Sequence, residues 1–303
     1  MTDHTFDCMG TDIRLLVPND ATAADCRATL EHFDGALSRF RPDSELSRLN
    51  AAPETDVPAS SLLRTAIGAG LLAAELTGGL VDPTLTPELE AAGYDRTRRT
   101  PELSLAEALA TAPPRRSARP HPAARWARVR VGDDCISREP GIRLDTGGTG
   151  KGLAADLLAL QLPSSERWAI DCGGDLRING PFEIDVRHPL TGEIAHRLEL
   201  TGGGVATSGI DTRIWHAEDG TTRHHILDPA TGAPAWTGVV GATAVAPTAL
   251  EAEALAKAAL LSGPAGAGRW LRRHGGITFL DDGQVIFHGA VRPRPVVQLE
   301  VLA

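Results

Sequence analysis

"RLDTGGTGKGLAAD", residues 143–156, decides how the rest of the chain is read. A carboxylate, four glycines and a lysine converge where β-type sequence gives way to a helical pattern, so the stretch reads as a strand turning into a helix. Such a turn brings backbone N–H groups and a helix N-terminus against a phosphate, with Lys151 adding positive charge. It is not a P-loop: Asp145 stands where the first glycine of that motif belongs, and Gly152 follows Lys151 in place of Ser or Thr. Nor does it match G-x-G-x-x-G. A plain glycine-rich turn with an exposed lysine is the competing reading.

Upstream, "TDIRLLV" (11–17) alternates as a strand, and "DATAADCRATLEHFDGALSRF" (20–40) follows with apolar positions at helical spacing behind an Asp or Thr cap. "SSLLRTAIGAGLLAAELTGG" (60–79) is a second helix, opened by Ser60-Ser61 and stopped by Gly78-Gly79. Residues 101–126 mix Pro, Arg and Ala without a period and read as a connecting excursion whose basic run is solvated. Downstream, "ARVRV", "CISRE", "RWAIDCGG", "FEIDVRHP", "RLELTGGGVATSG" and "GATAVAPT" read as strands. The helices "TGKGLAADLLALQL" and "TALEAEALAKAALLSG" interrupt them without a strict βαβ rhythm. The fold class expected is therefore α+β rather than a doubly wound sheet, with no internal repeat at a fixed period.

The 303 residues are enough for one large domain or two closely packed lobes with a substantial core. Hydrophobic residues at 42% and charged residues at 23% are near globular averages, which argues against disorder. A formal charge of -9 argues against a broad nucleic-acid or anionic-membrane surface, because those partners need clustered positive charge. The opening "MTDHTFDCMGTDIRLLV" lacks a basic segment followed by a long apolar one, and no run reaches the roughly 18 to 20 apolar residues that span a bilayer. The expectation is a cytoplasmic protein without membrane insertion. Cys8, Cys26, Cys135 and Cys172 show no C-x-x-C spacing, so free thiols are expected in place of a zinc or redox motif.

"RHHILDPATGAP" (223–234) holds two histidines and a carboxylate. Along a strand His224 and His225 point to opposite faces, so they do not ligate one metal together. Asp228-Pro229 reads as a turn initiator.

Taken together and in order, these pieces identify a resemblance. "CMGTDIRL", "LSRFRPDSELSRLN", "GGLVDPTLTPEL", "LDTGGTGKGLAAD", "AIDCGGDLRING", "GVATSG", "HHILDPATGAP" and "APTALEAEALAKAALLSG" resemble the ApbE-like flavin transferases, the FAD:protein FMN transferases, across nearly the whole chain. The resemblance implies a T-fold-related α+β fold, with mixed sheets, packed helices and an FAD cleft, over residues 1–303. It implies binding of FAD, Mg²⁺ held against the pyrophosphate, and transfer of FMN onto a threonine hydroxyl of an acceptor protein with release of AMP. By motif position, Met9, Phe40, Val81, Asp82, Pro83, Asp145, Lys151 and Leu227 would border FAD, and His225 would activate the acceptor hydroxyl. The metal would rest on the carbonyl of Gly148 and on a helix whose usual pattern is A-D-A-L-A-T-A.

Here that helix reads "AEALAKA", with Glu253 and Lys257 at the two ligand positions. The change to Glu keeps a carboxylate, whereas an ammonium has three donors and no lone pair for a cation. Three readings follow: Lys257 puts its charge in the metal's place and joins Glu253 in catalysis; a metal binds through FAD phosphates and Gly148; or catalysis has ended and a flavin carrier remains. FAD pyrophosphatase activity, with water as acceptor, is a further alternative, and the plain reading of Glu253 and Lys257 is an exposed i,i+4 ion pair.

Overall fold

The computed structural model describes residues 1–291, and the end of the expected 1–303 domain lies outside the described residues. The chain begins with two strands where one was expected. β1 (Thr2–Cys8) pairs antiparallel with β2 (Thr11–Val17) through the two-residue turn Met9-Gly10. β1 is an edge strand whose half-buried positions include Thr2 and His4, so little apolar alternation marks it in the sequence.

α1 (Asp20–Leu37) buries Ala23, Cys26, Leu30, Phe33 and Leu37 along one face, as its spacing predicts. Its cap is Asn19, whose side chain accepts from Thr22 N at 2.9 Å, one residue before the Asp expected in that role. α2 (Glu45–Ala51) and β3 (Asp56–Pro58) lead into α3 (Ser61–Thr77), capped by Ser60 and ended by Gly78 in the left-handed conformation. After α4 (Thr86–Ala91), the stretch expected to be irregular contains α5 (Leu105–Thr111). Ser104 and Glu107 form its capping box, but only Leu105 and Ala108 are buried, too few to show a period. The basic run beyond it is partly anchored, since Arg115 pairs with Asp281 at 2.5 Å.

β4 (Arg130–Val131) and β5 (Cys135–Ser137) join β3 in a small sheet. The segment before the glycine-rich turn is not a strand. Asn50 takes the ladder's place there, accepting from Leu144 N at 2.7 Å and donating to Leu144 O at 2.8 Å, while Asp145 N donates to Pro83 O at 2.8 Å. α6 (Gly150–Ala159) follows, then β6 (Trp168–Cys172), β7 (Asp175–Arg187) and β8 (Ile194–Gly209). The hairpin of β9 (Ile214–His216) and β10 (Thr222–His224) precedes β11 (Val239–Ala246). α7 (Ala249–Leu271), β12 (Gly276–Leu280) and β13 (Val285–His288) complete the described chain.

The main sheet has the order β1-β2-β6-β7-β8-β11-β12-β13, and each of its ladders is antiparallel, which refines the expected α+β arrangement. One core lies between β2, β6 and helices α1, α3 and α6; another surrounds α7 against β8, β11 and β12. α7 is Ala-rich because it is enclosed: Ala252, Ala256, Ala258, Ala259 and Leu260 are all fully buried. Its path breaks at Gly263 (φ 69°), followed by Pro264. α6 crosses the start of α7 at Gly152, where a Cβ would stand 2.7 Å from the carbonyl oxygen of Ala249. Only glycine permits that approach.

Candidate active site

A cavity of about 810 Å³ opens where the two cores meet, a volume suited to a nucleotide-sized ligand. Met9 reaches it from the β1–β2 turn, in which Met9 (φ 53°) and Gly10 (φ 67°) both take the left-handed conformation that a two-residue hairpin demands. Val81, Asp82 and Pro83 line it from the loop after α3. That loop is tightly held: Thr77 Oγ1 accepts from Val81 N at 3.0 Å, and Asp82 Oδ1 accepts from both Thr84 N and Thr84 Oγ1. Asp145, Gly148 and Lys151 contribute from the glycine-rich turn, His225 and Leu227 from beyond β10, and Lys257 from α7.

Phe40 belongs to an aromatic wall that the sequence reading did not foresee. Its ring meets Tyr94 edge-on at 5.6 Å; Tyr94 stacks on Trp215 at 5.7 Å and faces His225 at 5.9 Å. Arg39 lies over Phe40 at 4.2 Å and over Tyr94 at 4.9 Å, and its Nε is 3.4 Å from Asp145. Trp215 and Arg39 already lie over the Tyr94 ring, so the wall offers a ligand an apolar aromatic surface with an anchored cation in it. The chain's single tyrosine carried no periodic signal that could have marked it.

A four-residue charge cluster, whose two lysines line the cavity, forms another part of its wall. Lys151 Nζ donates to Asp175 Oδ2 and sits 3.7 Å from Glu253 Oε1, which also accepts from Lys257 Nζ at 2.8 Å. Glu253 Oε2 accepts from Gly152 N at 2.9 Å. Both carboxylates are 0% exposed, against 18% for Lys151 and 16% for Lys257. The Glu253–Lys257 pair is thus not the exposed surface pair of the plain reading, nor is Lys151 an exposed, unengaged lysine. Burial opposes the charge on Glu253, but Lys257 and Lys151 hold it below its ordinary range. Burial likewise works against the charge on Lys151, yet Asp175 and Glu253 hold its proton more tightly than usual. Burial, reinforced by the Glu253 carboxylate, pushes Asp175 up to about 7.

These residues do not fit a bound Mg²⁺. Both oxygens of Glu253 already accept hydrogen bonds, its carboxylate is screened from the cavity by two ammoniums, and Lys257 offers no lone pair. No group of three or more His, Cys, Asp or Glu residues among those described is arranged to hold a metal ion. Gly148 lines the cavity beside Asp145, whose carboxylate accepts from Gly147 N at 2.7 Å and pairs with Arg39.

The adjacent histidines separate as the strand spacing predicts. His224 is fully buried, edge-on to Trp236 at 4.7 Å. His225 faces the cavity; burial first, then the charges of Arg213, Lys257 and Lys151, keep its imidazole neutral, with its pKa well below the ordinary value. Its Nδ1 is buried without a hydrogen-bond partner. Asp228 initiates a turn, its side chain accepting from Arg119 N and Ala230 N. All four cysteines are free, and no helix among the described residues is long and apolar enough to cross a membrane.

Comparison with known proteins places this chain in a family. The ApbE family profile matches residues 9–280. The FAD:protein FMN transferase of Klebsiella pneumoniae (strain 342) is 28% identical over 268 residues, covering 84% of this chain and 75% of that protein. The protein of the same description from Treponema pallidum (strain Nichols) is 30% identical over 289 residues, covering 84% and 77%. The crystal structure of the ApbE protein from Thermotoga maritima superposes with a TM-score of 0.78 at 26% identity, over 95% of this chain and 96% of that one. The match therefore runs through every wall of the cavity, from Met9 in the first hairpin to Lys257 in α7, and the chain belongs to the ApbE family.

Proposed function

We propose that this protein transfers FMN from FAD onto a threonine hydroxyl of an acceptor protein, releasing AMP, with Mg²⁺ dependence altered or absent. The names of its relatives support FAD as donor and a protein as acceptor. The observation that carries the reading is His225: a neutral, buried imidazole with an unpartnered ring nitrogen, on the same cavity as two lysines. Only a neutral imidazole can take a proton from an incoming hydroxyl.

In this reading the acceptor oxygen attacks the FMN-side phosphorus in line as His225 removes its proton. The new O–P bond forms while the bridging P–O bond breaks, and AMP departs with that bridging oxygen. Lys151 and Lys257 stabilise the charge that gathers on the phosphoryl oxygens. The aromatic wall of Phe40 and Tyr94 orients the ring system, and Asp145 fixes Arg39 beside it. Acceptors are cytoplasmic proteins or cytoplasm-facing domains.

The test is incubation with FAD and a threonine-bearing acceptor domain, with AMP followed by chromatography and the acceptor by mass. Expected are equimolar AMP and FMN-modified acceptor, the latter lost when the threonine becomes alanine. AMP with free FMN in the absence of acceptor would identify a pyrophosphatase. FAD held by the protein with no AMP would identify a flavin carrier.

A further inference from the structure

The charge cluster is layered. Its two carboxylates are wholly buried, and its two ammoniums stand between them and the cavity, which both lysines line. Lys151 and Lys257 come from different helices yet lie 3.7 and 2.8 Å from one oxygen, Glu253 Oε1, which keeps them within the span of two adjacent phosphates. Each ammonium has three N–H donors. Lys257 uses one on Glu253, and Lys151 gives one to Asp175, so donors remain for a ligand. Asp175 and Glu253 hold the lysines in place: Asp175 lies in β7 behind the cavity wall, and Glu253 is fixed in turn by Gly152 N. A dication entering here would meet two ammoniums first, with the cluster's unpartnered carboxylate oxygen, Asp175 Oδ1, buried away from the cavity surface, whereas an anion would meet hydrogen-bond donors from two directions.

We infer that Lys151 and Lys257 form a two-ammonium clamp for a diphosphate, positioned by Asp175 and Glu253, which takes the diphosphate of a dinucleotide with no divalent cation at that place. The inference rests on the proposed reading for the identity of the dinucleotide, but the clamp itself is specified by the geometry.

Titration calorimetry of the wild-type protein with FAD, and separately with ADP as a diphosphate lacking flavin, tests it in excess chelator and in millimolar Mg²⁺. The expected dissociation constants in the two buffers agree within about two-fold, a difference of only ~0.4 kcal/mol. Lys257→Met is expected to weaken both ligands by about 10- to 100-fold in either buffer, the range for losing a charged hydrogen bond. Asp175→Asn, which alters no cavity-lining atom, is expected to narrow the preference for ADP over AMP, a ratio that a uniform loss of folded protein leaves unchanged. The double variant Glu253→Asp/Lys257→Thr is expected to bind ADP only when Mg²⁺ is present. Binding of FAD and ADP by the wild type that requires Mg²⁺ would overturn the clamp and leave the transferase reading standing. ADP bound without metal while FAD is refused would support the clamp and sink the flavin reading. No binding of either ligand in either buffer overturns both. The wild-type comparison decides the matter even if a variant fails to fold.

Discussion

His224 and His225 show what one position along a strand end does to a side chain. His224 is sealed against Trp236, and burial holds its imidazole at about 3 in place of 6.5. The unfolded chain therefore takes up a proton that the folded one refuses, and stability falls as pH drops below 6.5. This one residue is expected to remove roughly 3 kcal/mol by about pH 4. Urea unfolding across that range should show the acid limb flattened in His224→Phe relative to wild type; parallel limbs would refute the assignment. His225→Ala, by contrast, should lower the rate of AMP release by roughly 10²- to 10⁴-fold, the scale of general-base removal, with a much smaller change in FAD affinity. Equal losses in both would make His225 a binding residue. Local spacing made these two histidines and the Glu253–Lys257 pair visible in the sequence. Asp175 was not visible, because its partner Lys151 lies 24 residues away and no local pattern links them. The same holds for the hydrogen bond from Gly152 to Glu253, which spans 101 residues.

At the scale of elements, the crossing of α6 and α7 sets the clamp's width. Asp156, in the second half of α6, caps α7 with its carboxylate, accepting from Ala249 N at 3.0 Å and Leu250 N at 2.9 Å, so the two helices are joined by side-chain-to-backbone hydrogen bonds as well as packing. Gly152→Ala would drive a methyl into the Ala249 carbonyl at 2.7 Å and force the helices apart. The expected cost is about 1–3 kcal/mol in urea unfolding, with a larger fractional loss of ADP binding than of stability at room temperature. A variant as stable as wild type with unchanged ADP affinity would show that the crossing can relax. The long helices were legible because their apolar faces run for several turns behind clear caps. α5 and β1 were not, since one buries only Leu105 and Ala108 and the other is an edge strand of mostly polar residues. The extended segment before the glycine-rich turn imitates a strand in composition, yet its partner is the side chain of Asn50.

For the whole molecule, a single eight-stranded sheet runs through both hydrophobic cores. Trp168 reports on one core and Trp236 on the other. We propose that they belong to one cooperative unit; single-tryptophan variants carrying either residue should unfold at the same denaturant midpoint. Two separated transitions would divide the chain into independent lobes. The cavity's lining runs from Met9 to Leu261. Its four clamp residues, Lys151, Asp175, Glu253 and Lys257, lie on three separate elements. Recombination between this gene and that of a relative, with a crossover anywhere between codons 175 and 253, would therefore join Lys151 and Asp175 of one parent to the residues that stand at 253 and 257 in the other. Such chimeras would draw the cluster's charges from both parents, so its charge balance is a property that neither half of the chain carries alone.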